Sequence, residues 1–429
     1  MSLVGLMGLS LLILLLIGVP VAITLGVVSV SWLIIEGRSL QMVVARMYSG
    51  IDLFVLMAIP FFMLCGELMN CSGITDRIIK FVNMLVGRVR GGLAQANIYT
   101  SLLFAGITGA AISDVSALGS VFIPAMAKQG YTRRFSAMIT AASSIVGPII
   151  PPSIIIVMYG AVTGTSVGAM FAAAFIPGVF LALALSMMVA VTAKKRNFPK
   201  VDSKFELKEF VLTFKDTIFA LLMPLIIIGG ILGGIFTPTE AAAVAVLYAL
   251  IISLFIFRSI DAKKIYASLS NAMRTSAMLF FIIAVSSILG WMIARVGLPE
   301  LLVKNLLSLS ENPQTILLLV VFFLLFIGTW METGASTIIF APILAPVMAM
   351  VGIHPVHFGM VMIITLNVGL ITPPLGVCLF AAVGVGKTPF EGIVKEIWPY
   401  LLIDLAVIIV LVYVPEITLY VPRLLGLIS

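Results

Sequence analysis

Two apolar runs of this chain are cut by the same punctuation, Gly147-Pro148-Ile149-Ile150-Pro151-Pro152-Ser153 and, 222 residues later, Gly369-Leu370-Ile371-Thr372-Pro373-Pro374-Leu375. Proline has no N–H to donate and its ring clashes with the preceding turn, so a Pro-Pro pair behind a glycine stops a helix. Each stop falls where a membrane helix would otherwise continue. Interrupted helices in matching positions of two halves mark a binding site near the middle of the bilayer.

Composition fixes the membrane setting. Hydrophobic residues make up 62% of the chain and charged residues 10%, against about 45–50% and 25% in soluble domains. At about 20 residues per span, 429 residues allow roughly ten to twelve crossings and leave no soluble domain. The net charge of +7 sits in short loops between apolar runs, where basic residues set topology, so nucleic-acid binding is excluded. Cys65, Cys71 and Cys378 stand apart and read as small core residues. Residues 3 to 17 lack a basic start and a cleavage site and are expected to stay in the mature chain. No HExxH and no G-x-x-x-x-G-K-[ST] motif occurs, so the expectation is no enzyme, with energy drawn from an ion gradient or a partner subunit. His354 and His357 lack companions at metal-ligand spacing.

The runs at 94–126 and 314–350 are too long for one straight span and have Gly-rich polar centres. Each predicts a re-entrant hairpin, at about 94–127 and 314–350, followed by a broken helix at about 135–164 and 356–384. Shifted by 222 residues, Gly106 meets Gly328, Pro124 meets Pro346, Gly130 meets Gly352, Gly164 meets Gly386 and Pro177 meets Pro399. Residues 1–193 and 217–429 are thus read as two repeats, joined by a cytoplasmic loop at 194–216 with an amphipathic helix. Arg77, Lys80, Arg88, Arg90, Lys128, Arg133 and Arg134 flank the first hairpin, whereas no basic residue flanks the second. The positive-inside bias makes the first hairpin open from the cytoplasm and the second from outside. The fold class is therefore an all-α polytopic membrane protein with inverted repeats, as in alternating-access transporters.

The hairpin tips carry the chemistry. The first offers Thr108, Gly109, Ala111, Ser113, Asp114 and Ser116, the second Glu332, Thr333, Gly334 and Ser336. Small residues let the chain turn, while hydroxyls, carbonyls and one carboxylate per tip are hard oxygen ligands for a cation. A charge in hydrocarbon costs at least about 2.5 kcal/mol and is usually functional. Each acid is equally able to cap its half-helix, and a half-helix N-terminus attracts an anion. Ser143 and Ser144 precede the first break, and Thr365 and Asn367 precede the second. Unwound carbonyls need a partner, which a bound Na⁺ or water supplies; a lone Ser or Thr can instead bond back to its own helix. The Na⁺ ligands are expected among Gly109, Ala111, Asp114, Ser143, Ser144, Gly147, Glu332, Gly334, Thr365, Asn367 and Gly369. Substrate contacts are expected from Thr108, Ser113, Ser116, Ser153, Thr333, Ser336 and Thr372, with Pro148, Pro151, Pro152, Pro373 and Pro374 shaping the breaks.

Gly18-Val19-Pro20-Val21-Ala22, Ala58-Ile59-Pro60-Phe61-Phe62, the hairpin ending in Asp114, both Pro-Pro breaks and Phe236-Thr237-Pro238-Thr239-Glu240-Ala241 together resemble one family. It is the large membrane subunit of tripartite ATP-independent periplasmic (TRAP) transporters, and the resemblance covers essentially the whole chain. It implies an elevator mechanism, with a transport domain holding both hairpins and a scaffold joined to a small four-helix membrane subunit. It further implies a periplasmic substrate-binding protein that delivers an organic acid, and Na⁺-driven uptake across the bacterial inner membrane. Two departures stand out. Gly109-Ala110-Ala111-Ile112-Ser113-Asp114 replaces the family's usual Gly-Ser-Ser-x-Ala-Asp, and Glu332 replaces a frequent Asp.

The expected function is Na⁺-coupled uptake of an organic acid, sialic acid being favoured over a C4-dicarboxylate. The alternative is a stand-alone divalent-anion symporter that works without a binding protein. A passive channel and an intramembrane enzyme are less consistent with the paired tips. Under the 222-residue offset Asp114 faces Ser336 and Glu332 faces Ala110, so two cation sites of unequal strength are expected around an off-centre substrate.

Overall fold

Apolar runs free of Gly-Pro punctuation form long helices, because in hydrocarbon a helix satisfies every backbone N–H and C=O within the segment. The computed structural model describes residues 3–108, 110–200 and 206–428, which form twenty α-helices, one 3₁₀ turn, one π turn and no strand. Eight helical stretches among the described residues are long and apolar enough to cross a membrane.

The N-terminal helices are α1 (Leu3–Leu16), α2 (Val21–Ile35), α3 (Gln41–Ile51), α4 (Ala58–Cys71) and α5 (Ile74–Val86). On α5 the buried residues Ile74, Ile78, Phe81 and Val82 recur at helical spacing, so Arg77 and Lys80 lie on an amphipathic helix. Next come α6 (Gly92–Thr108) and α7 (Ala111–Lys128), then α8 (Arg133–Ser144), α9 (Ile154–Thr163) and α10 (Val167–Lys195). The middle of the chain gives α11 (Leu207–Leu232), α12 (Pro238–Ile251), α13 (Ala262–Arg295) and α14 (Leu298–Leu309). It closes with α15 (Pro313–Trp330), α16 (Thr333–Met350), α17 (Pro355–Gly369), α18 (Val377–Gly386), α19 (Phe390–Tyr413) and α20 (Glu416–Leu424).

Within the segment read as a connecting loop, residues 207–216 are already the first turns of α11. Phe210 and Phe214 place their rings 6.2 and 6.0 Å from Phe81 of α5, and the Thr217 hydroxyl donates to the Arg77 carbonyl. This aromatic contact gives a polar-looking stretch a side to pack against α5 and so extends the helix. The start of α12 follows from its sequence. Thr237 and Glu240 form a reciprocal capping box around Pro238 at the first helical position, where its missing N–H leaves nothing unsatisfied.

Helix boundaries recur at the 222-residue offset: α7 and α16 begin at Ala111 and Thr333 and end at Lys128 and Met350. Helices α8 and α17 begin at Arg133 and Pro355. The packing is crosswise: α7 lies against α8 and α18, and α16 against α17 and α9. Helices α7 and α16 thus each touch the helix before the break that follows them and the helix after the other break. The Tyr159 hydroxyl of α9 donates to the Pro355 carbonyl at the head of α17, 3.0 Å away. A second layer, in which α13 packs on α2, α3 and α4 and α12 packs on α4 and α11, meets this core where α13 touches α16 and α4 touches α6 and α9. Pro151-Pro152 and Pro373-Pro374 are both cis.

At the second break two backbones touch. A Cβ on Gly369 would stand 2.6 Å from Gly328 Cα, and one on Gly328 would stand 2.7 Å from the Leu366 carbonyl oxygen. Gly328→Ala or Gly369→Ala is expected to cost about 1–3 kcal/mol by forcing α15 off α17, seen as a lower melting temperature of the purified protein. Gly384→Ala, whose added methyl meets nothing within 4 Å, should not lower it.

Candidate functional site

The breaks bring the two tips together. Residues 145–153 between α8 and α9 are buried throughout, and 370–376 between α17 and α18 separate the second pair. At the first break Ser153 satisfies its own backbone. Its hydroxyl donates to the Pro148 carbonyl and accepts from the Ile156 N–H, capping α9. Thr372 bonds back to the Val368 carbonyl at 2.8 Å. Pro148, Pro151 and Pro152 are buried, Pro373 is half-buried and Pro374 is exposed.

Asp114 is fully buried in the first turn of α7. A Cβ on Gly147 would collide with Asp114 Oδ2, so a larger residue there would have to push this carboxylate aside. Ala111, the first residue of α7, is buried, and Ser113 is exposed to the cavity described below. Ser116 is exposed, bonds back to the Ile112 carbonyl at 3.1 Å and stands off that cavity. Gly109 lies outside the described residues, as does the side chain of Thr108, whose backbone ends α6.

The acid of the second tip holds a different post. Glu332 is the N-cap of α16, its Oε2 accepting from the Ala335 N–H at 3.1 Å. On α7 the equivalent residue is Ala110, which offers no side-chain cap. Gly334 lies under the Glu332 carboxylate, with 2.9 Å from its would-be Cβ to Oε2. The Thr333 hydroxyl donates to Asn367 Oδ1 at 3.1 Å, and the Asn367 amide donates to the Ile363 carbonyl at 3.0 Å. Ser336 Oγ, Thr337 Oγ1 and Thr365 Oγ1 are buried without a hydrogen-bond partner.

Ser143 joins a buried chain of polar groups. It donates to Asn97 Oδ1 at 3.2 Å and accepts from the Ser101 hydroxyl at 3.1 Å, while Asn97 Nδ2 donates to Thr140 Oγ1 at 2.7 Å. Ser144 bonds back to the Ala141 carbonyl. Asn97 and Ser101 were not anticipated as part of the site, although their four-residue spacing puts them on one face of an apolar helix.

A cavity of about 630 Å³ lies between the tips. The first tip contributes Ala110 to Ser113, the second Glu332 to Ala335, and the breaks Pro148, Asn367 and Leu370. Ile154, Ile155 and Met158 of α9 line it, and Met63, Thr275 and Met278 close the opposite wall. No Lys, Arg or His lines it among the described residues. Two catalytic-looking strings have helical explanations. In Gly164-Thr165-Ser166-Val167-Gly168, a G-x-S-x-G pattern, Ser166 caps α10, and Gly386-Lys387-Thr388 follows a helix instead of a strand, so neither is in the setting its motif requires.

A model of the family described as "Tripartite ATP-independent periplasmic transporter, DctM component" matches residues 9–417. The sialic acid TRAP transporter large permease protein SiaM of Vibrio cholerae is 40% identical over 412 residues, which cover 95% of each chain. The C4-dicarboxylate TRAP transporter large permease protein DctM of Rhodobacter capsulatus is 35% identical, over 96% of this chain and 97% of its own. In fold alone, the YdaH transporter of Alcanivorax borkumensis matches with a TM-score of 0.62 at 15% identity, over 86% of both chains. This multi-pass membrane chain belongs to the DctM family, the large permeases of tripartite ATP-independent periplasmic transporters.

Proposed function

We propose that the chain takes up an organic acid across the bacterial inner membrane, driven by Na⁺ and supplied by a periplasmic binding protein. The relatives named for sialic acid and for C4-dicarboxylates point to that broad class. The observation that carries the coupling is charge balance. Asp114 is buried beside the cavity that Glu332 lines, no described basic side chain lines that cavity, and an anionic substrate adds further negative charge. Negative charge gathered around a low-dielectric cavity with no cation lining it is costly. Bound cations offset it, and the available donors are hydroxyls, carbonyls and carboxylates, which suit an alkali ion.

One Na⁺ sits by Asp114, Gly147 and the Ser143 chain, and a second by Glu332, Gly334 and the Asn367 break. The substrate's anionic group sits toward the first tip. There α7 presents its first N–H groups without a side-chain cap at Ala110, whereas at the second tip Glu332 already takes the Ala335 N–H. The 222-residue offset and the crosswise packing support an inverted repeat whose core moves as one body, an elevator, against α2, α4 and α13. A small membrane subunit holds that outer layer in place.

Proteoliposomes containing the permease, its small subunit and the binding protein test the coupling. Replacing Na⁺ by K⁺ should lower uptake at least tenfold, and equal uptake in both salts sinks the proposal. Asp114→Asn and Glu332→Gln each remove a charge-assisted contact worth about 1.5–3 kcal/mol, so uptake at limiting Na⁺ should fall roughly 10- to 100-fold. Thr365→Val separates a ligand from a packing residue. Removing a hydroxyl that lacks a protein partner should leave the melting temperature in K⁺ unchanged or higher, while the half-saturating Na⁺ concentration rises several-fold.

A further inference from the structure

Among the described residues, the polar side chains of the cavity other than Thr275 gather at one end. Five polar side chains line it among the described residues: Ser113, Thr275, Glu332, Thr333 and Asn367. Three of them are engaged elsewhere. Thr333 and Asn367 bond to each other, and Thr275 bonds back to the Asn271 carbonyl at 3.0 Å. Among the described residues, what remains for a ligand is the Ser113 hydroxyl, the first N–H groups of α7 and the Glu332 carboxylate, all at the tips. Away from them the wall is Met63, Ile154, Ile155, Met158, Met278 and Ile282.

We propose that the substrate carries a single anionic group on an otherwise apolar body, so that a branched or aromatic monocarboxylate fits this cavity better than a dicarboxylate or a polyhydroxylated sugar acid. This rests on reading the cavity as the substrate site. A hydroxyl laid against the apolar wall loses water without gaining a partner, at a cost of about 1–3 kcal/mol each, and a second carboxylate loses far more. No described Lys, Arg or His stands opposite the tips to receive one. The thioethers of Met63, Met158 and Met278 are soft and conformationally adaptable, which suits bodies of varied shape.

The test uses the permease with its small subunit in nanodiscs and calorimetric binding of propionate, butyrate, valerate, hexanoate, phenylacetate, succinate and N-acetylneuraminate, in NaCl and in KCl. In NaCl the affinity should rise roughly three- to fourfold per added methylene. Succinate and N-acetylneuraminate should bind at least tenfold more weakly than hexanoate. Met278→Gln should flatten the rise; this side chain is 64% exposed, so the fold does not depend on it. A flat series, tighter binding of succinate or N-acetylneuraminate, a slope indifferent to Met278→Gln, or no binding by any acid overturns the proposal. The same rise in both salts keeps the substrate class and removes the Na⁺ coupling, so the two readings fail separately.

Discussion

A helix broken inside a membrane must find partners for the backbone groups it releases, and the rest of this structure is arranged around that requirement. At the first break the Ser153 hydroxyl takes the Pro148 carbonyl and returns a cap to α9. Burial of residues 145–153 then keeps lipid away from what is left. Irregular backbone is tolerated at this depth only inside protein or beside a cavity, so the hairpins pack where they do because the breaks need cover. In covering them, the hairpins bring Asp114 and Glu332 to the edge of one space. Need for cover and site geometry therefore have a single origin.

The two halves differ in how each acid is held. Glu332 occupies a helix N-cap and spends one oxygen on Ala335, whereas Asp114 lies within the first turn of α7, pressed on Gly147. A carboxylate tied to an N-cap is already partly neutralised by the helix dipole. The two helices thus share limits at the 222-residue offset while their acids sit at different positions.

Much of the core was legible because Gly and Pro dictate backbone shape directly. Where hairpins are expected near 94–127 and 314–350, the chain forms the helix pairs α6–α7 and α15–α16, over 92–128 and 313–350. Helix α5 is not legible as an apolar run because its signal is a period: Ile74, Ile78 and Phe81 face inward while Asp76 and Lys80 are exposed. The aromatic contact of Phe210 and Phe214 with Phe81 crosses more than 120 residues of sequence, and no local pattern announces it. The same holds for Met63 and Met278, which reach the cavity only through tertiary packing. Ser116 shows the opposite limit. Its spacing from the Ile112 carbonyl permits a bond back to its own helix, an outcome that residue type alone does not separate from ligand binding.

The contact between Gly328 and Gly369 also constrains how such a protein can change over generations. Each glycine fills the space that a side chain on the other would need, so neither position can be varied first. Replacing both together only enlarges the clash. Any lineage leaving this arrangement has to separate α15 from α17 by changes elsewhere before either glycine is free to mutate. The pair therefore acts as a historical lock on the second half-site, while the first, where Gly147 faces a movable carboxylate in place of backbone, keeps more freedom to drift.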